Sequence, residues 1–154
     1  MTATDTMPQN RTAEEELSLH GTYATVTRGT SMRPLFKTHR DMVIIEKPNP
    51  PLKKYDVVLY RVAEDYVLHR IIGKKGDSYV IRGDNTFKRE YVTEDRIIGV
   101  LVAFNRKGKR GNVTDSSYKF YSRLWHFIYP IRYIFRLGYL ATRKVYRFFF
   151  RKPK

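Results

Sequence analysis

The sequence predicts a mainly β protein, an antiparallel β domain carrying a C-terminal amphipathic α-helical appendage. Three observations lead there. From Gly21 to Phe104 the apolar residues are β-branched or aromatic and fall in short runs broken by turn chemistry, the signature of strands rather than helices. The segment Pro48-Asn49-Pro50-Pro51 forbids both a helix and a continuing ladder. Beyond Asn105 the pattern changes to aromatics and arginines at helical spacing.

Taken in order, Glu14-Glu15-Glu16-Leu17-Ser18-Leu19 predicts a short helix with acids in its first turn, where the helix dipole favours them. Strands follow over Thr22–Thr27 and Met42–Glu46. Tyr55–Val62 and Tyr66–Ile72 form a hairpin across Ala63-Glu64-Asp65. Gly73-Lys74-Lys75-Gly76-Asp77 turns the chain into Ser78–Arg82, and Arg96–Phe104 supplies a further strand. The expected organisation is a flexible segment over 1–20, the β domain over 21–104, a Gly- and charge-rich linker over 105–117 and a basic helical tail over 118–154.

Composition narrows the function. A chain of 154 residues with 42% hydrophobic residues can bury a core without staples. The absence of cysteine removes disulfides, thiolate zinc sites, iron–sulfur clusters and cysteine nucleophiles together. The formal charge of +15 implies an anionic partner, but it is unevenly placed. Residues 1–105 hold 16 basic and 14 acidic residues, whereas 106–154 hold 14 basic residues against Asp115 alone. The polyanion affinity therefore belongs to the tail. Met1 to about Ala13 has no apolar run, so neither a signal peptide nor a membrane anchor is expected there.

Three segments carry chemistry. Gly29-Thr30-Ser31-Met32-Arg33-Pro34 sets a serine just past a strand end; Leu68-His69-Arg70 sets a histidine within a strand; Gly83-Asp84-Asn85 sets an acid at a strand exit. A serine hydroxyl needs a base within reach to attack at neutral pH, and that base must later protonate the leaving amine. Histidine suits both steps, and a carboxylate such as Asp84 could hold the ring. Gly29 would admit a substrate backbone, and the Ser31 amide is a candidate oxyanion donor. The rate should then rise through roughly pH 6 to 7 as the imidazole loses its proton.

In combination these segments resemble the signal peptidase I and SOS-repressor clan of serine peptidases, whose members show a Gly-x-Ser-Met-x-Pro box, a strand bearing the general base followed by Arg, and a Gly-Asp-Asn box. Asp41-Met42-Val43-Ile44, Tyr55-Asp56-Val57-Val58 and Ile97-Ile98-Gly99-Val100 add weaker matches, so the resemblance spans residues 21–104. A histidine base resembles the archaeal and endoplasmic-reticulum signal peptidases. That likeness implies Ser31 as nucleophile, His69 as base and Asp84 as its orienter, with Ser31 and Thr30 at the oxyanion and Gly29, Met32 and Pro34 at the substrate cleft. The second aspartate of the His-type enzymes has no counterpart in Thr86–Glu90 except Glu90, the candidate second acid. No cofactor or metal is called for. The substrate implied is a polypeptide bearing a leader or signal peptide.

The tail supplies the expected link to a membrane. Arg132, Arg136, Arg143 and Arg147 fall within an arc of about 60° on one helix face. No charge-free run reaches the ~18 residues of a spanning helix, so a helix lying in the interface is expected, with Trp125 at headgroup depth and the arginines on anionic lipid. Nucleic acid is the less favoured anionic partner. The competing reading is an inactive peptidase-like binding module, tethered by the same tail to membrane or nucleic acid.

Overall fold

The computed structural model describes residues 12–150, with side chains as far as residue 143. The order along the chain is α1 (Ala13–His20), β1 (Thr22–Val26), β2 (Met42–Glu46), β3 (Val57–Val62), β4 (Asp65–Lys75), β5 (Ser78–Arg82), β6 (Glu90–Thr93), β7 (Ile97–Arg106), β8 (Lys109–Asn112), α2 (Ser116–Phe127) and α3 (Tyr129–Phe150). The strands form one antiparallel sheet in the order β1-β2-β7-β3-β4-β5-β6, with β8 paired to β7. This is the β fold with helical appendage that the strand patterning predicts.

The sheet wraps two apolar clusters. One gathers Leu35, Phe36, Val43, Ile45, Leu59 and Leu101; the other gathers Val58, Tyr60, Ile71, Tyr79, Ile81 and Val92. Helix α1 belongs to the first. Thr12 caps it by accepting from the Glu15 N–H at 3.2 Å while the Glu15 carboxylate accepts from the Thr12 N–H at 2.9 Å, so two otherwise orphaned donors are satisfied. Its Ala13 and Leu17 are buried, which ties down the part of the N-terminal segment that is described; residues 1–11 lie outside it.

The expected linker over 105–117 is corrected by the structure. Arg106 pairs with Lys109, and Lys107 and Gly108 between them take φ of 52° and 77°, the left-handed pair of a two-residue hairpin turn. Residues 97–112 are therefore a β7–β8 hairpin, and α2 begins four residues later. Strand β4 also runs further than expected, to Lys75, leaving Gly76 and Asp77 to make the turn. Strand β6 is an element the sequence reading lacks.

Pro130 stands in the first turn of α3, where its missing N–H costs nothing. Helix α2 buries Tyr118 and Ser122 against the sheet. Helix α3 instead leaves Ile131, Ile134, Phe135, Leu137 and Leu140 exposed, at 53, 67, 75, 48 and 44%. Among the described residues no helix is long and apolar enough to cross a membrane.

Candidate active site

Successive residues of a strand point to opposite faces, and β4 uses this to separate two tasks. His69, opposite Val58 of β3, shares a face with Tyr60 two residues along; Glu90, opposite Ile81, completes that face from β6. The Tyr60 hydroxyl lies 3.0 Å from His69 Nδ1 and donates to Glu90 Oε2 at 2.5 Å. Glu90 Oε1 is 3.9 Å from the same ring nitrogen. Arg70 points the other way, where both Arg70 and Asp84 are buried and joined by two parallel bonds, Nε to Oδ1 at 2.8 Å and Nη2 to Oδ2 at 2.9 Å.

His69 is 5% exposed. Burial disfavours its charged form and lowers its pKa below the ordinary 6.5, with the carboxylates of Glu90 and Asp84 pulling the other way. The ring is consequently neutral at neutral pH and free to take a proton.

The loop that carries Ser31 hangs from the Gly-Asp-Asn segment. The Asn85 N–H donates to the Ser31 carbonyl at 2.6 Å, and Asn85 Nδ2 donates to the Thr30 carbonyl at 3.2 Å. Gly83 makes this approach feasible: a Cβ there would lie 2.8 Å from the Ser31 carbonyl oxygen and 2.9 Å from His69 Nε2, so the serine loop and the base flank one small gap. Beyond Ser31 the loop is fastened by Asp41, which is fully buried. It accepts from the Lys37 N–H at 2.7 Å and the Lys107 N–H at 3.2 Å and is gripped by the Arg40 guanidinium. Half-buried Ser31 opens on a cleft of about 390 Å³, lined also by Tyr23, Thr25, Gly29, Tyr66 and Leu68. The cleft runs beside β1, which among the described residues pairs with no strand but β2.

Several expected roles change. Asp84 is engaged by Arg70 and by the Tyr121 hydroxyl, which donates to Oδ2 at 3.0 Å; the group bonded to the His69 ring is Tyr60, with Glu90 behind it. Asp84 thus holds the architecture around the base. Met32 borders the cleft but is 6% exposed and packs in the first core cluster. Pro34 does not line the cleft; its carbonyl accepts from Arg106 Nη2 at 3.3 Å. Thr30 is exposed, with its carbonyl taken by Asn85.

The residues expected at lipid divide in two. Trp125 Nε1 donates to the Asp84 carbonyl at 2.8 Å, and Arg132 Nη2 donates to the same oxygen at 2.9 Å while its guanidinium lies 3.8 Å over the Trp125 ring. Arg136 lies 4.4 Å over Phe87. Trp125 and Arg132 thus brace the Gly-Asp-Asn loop, while Arg136 stays exposed beside Phe87. Arg143 is exposed, and the side chain of Arg147 lies outside the described residues.

A serine loop and a buried histidine flank Gly83 on an antiparallel sheet, an arrangement compatible with a hydrolase of the serine peptidase type. Comparison with known families agrees: the family described as Peptidase S24-like matches residues 2–102, and the chain belongs to it. The match ends before α2, so the helices that brace Asp84 stand outside the family's shared region. No curated protein matches the chain.

Proposed function

We propose that the protein is a serine endopeptidase that cleaves a leader or signal peptide by a Ser/His mechanism at an anionic membrane surface, as His-type signal peptidases do. The observation that supports this most is the convergence of the Ser31 carbonyl and His69 Nε2 on Gly83. An inert binding module has no use for a neutral, buried imidazole at that place.

In this reading an extended substrate adds to the free edge of β1, where backbone hydrogen bonds hold it and the cleft takes alternate side chains. Ser31 Oγ attacks the scissile carbonyl, His69 Nε2 accepts its proton and returns it to the leaving amine, and the Ser31 N–H faces the developing oxyanion. The exposed apolar residues of α3, with Arg143 beside them, lie in the headgroup region of the bilayer.

The test uses the intact protein on vesicles containing anionic lipid, with a leader-bearing polypeptide as substrate. Cleavage should fall by at least ~10³-fold in both Ser31→Ala and His69→Ala. Undiminished cleavage by either folded variant overturns the dyad.

A further inference from the structure

We propose that Tyr60 and Glu90 act as positioning residues that fix which nitrogen of His69 carries the proton. This rests on the Ser/His reading of the site and adds residues to it. A phenol has one proton and oxygen lone pairs to accept with. The Tyr60 proton goes to Glu90 Oε2, so toward His69 the same oxygen can only accept, and Nδ1 must be the protonated nitrogen. The lone pair then sits on Nε2, the nitrogen against Gly83 and the serine loop. When Nε2 takes the serine proton, the imidazolium keeps its Nδ1–H on Tyr60 with the Glu90 carboxylate 3.9 Å away. No net charge is created or lost across the three residues beyond the proton that His69 gains from Ser31.

The surroundings keep this arrangement in one direction. Burial first, and the Glu90 hydrogen bond next, push the Tyr60 hydroxyl above its ordinary range, so it stays protonated. Tyr60 is fully buried, so its hydroxyl is shielded from solvent where it meets the ring. The other charged groups acting on the trio are Asp84, which is committed to Arg70, and Arg96, which faces Tyr60 from the turn before β7. Arg70 and Arg82 project to the opposite face of their strands.

The test reads the ring directly in the intact protein labelled with ¹⁵N-histidine, with the His69 signal assigned by His69→Gln. Near pH 7.5 the spectrum should show Nδ1 protonated and Nε2 bare; Tyr60→Phe and Glu90→Gln should each collapse this into a tautomer mixture. In peptide hydrolysis each should lower kcat by about 10- to 100-fold with KM little changed, and the double variant should be no worse than either single. The acid limb should move to lower pH in Glu90→Gln, because a charge that raises the His69 pKa is gone. A protonated Nε2 in the unaltered protein, or an unchanged tautomer and pH profile in Glu90→Gln, overturns the proposal. Glu90 is partly exposed, so its variant keeps the test decisive if Tyr60→Phe fails to fold. The tautomer is read without substrate, so it stands or falls separately from the loss of cleavage in Ser31→Ala.

Discussion

Arg70 and Asp84 meet as a forked ion pair at 2.8 and 2.9 Å, each side chain 3% exposed, on the face of β4 opposite the His69 ring. The third guanidinium nitrogen, Nη1, donates to Ser122 Oγ at 2.8 Å and to the Tyr55 carbonyl at 3.0 Å, so α2, the loop after β5 and the segment before β3 are tied at one point. Removing one member of such a pair strands the other charge in the interior. Arg70→Met should therefore destabilise the fold by about 3–5 kcal/mol in chemical denaturation, whereas Ser31→Ala should change stability by less than ~1 kcal/mol. Equal stabilities would show that the pair does not hold the loop.

The pH dependence follows from the lowered pKa of His69. The unfolded chain binds the proton near pH 6.5 while the folded chain binds it only at lower pH, so folding stability is present above 6.5 and is lost as pH falls from there through the folded-state value. If His69 is the base, the rate of hydrolysis should rise through that same lowered value, below the window near pH 6 to 7 that an ordinary imidazole gives. A pH–rate profile of kcat/KM, with Asp84 and Glu90 intact, checks the position of the limb.

Asp41 behaves oppositely. Its hydrogen bonds from Arg40 hold its carboxyl at about 2, against an ordinary 3.8. Its contribution is complete above pH 3.8 and is lost as pH falls toward 2, and Asp41→Asn should lose that acid-sensitive part and loosen the serine loop. Thermal denaturation at pH 7 and pH 3 should show a smaller difference for the variant than for the unaltered protein.

Gly83→Ala offers a steric test. The new methyl would meet the Ser31 carbonyl oxygen at 2.8 Å and the His69 ring at 2.9 Å, so one of them must retreat. A displacement of that order should reduce kcat by about 10²-fold. Circular dichroism should stay close to that of the unaltered protein.

For α3, replacing the exposed pair Ile134 and Phe135 by aspartate should weaken binding to anionic vesicles by at least ~10-fold. Hydrolysis of a short soluble peptide should be unaffected, since neither side chain reaches the cleft. Unaltered vesicle binding by this double variant would remove α3 from the membrane.

Ser31, His69 and Asp84 were legible in the sequence because each sits in a short local motif at a strand end or in a strand. Tyr60 and Glu90 were harder. Tyr60 reaches His69 only through the diagonal of the β3–β4 register, and Glu90 arrives on β6, four residues long and too short to announce itself by alternation. The role given to Asp84 failed for a related reason: Arg70 is adjacent to His69 in sequence but faces away from it, and it captures the carboxylate. Lys107-Gly108 has the composition of a flexible joint and of a tight hairpin alike, and only pairing distinguishes them. The helical periodicity of Arg132 and Arg136 places them on one face but does not reveal their neighbours.

Trp125 is the chain's single tryptophan, and its indole N–H is spent on the Asp84 carbonyl beneath the Arg132 guanidinium. The molecule thereby carries its own optical gauge. Ultraviolet emission will register any shift between the C-terminal helices and the segment that suspends the Ser31 loop, with no dye attached and no turnover required.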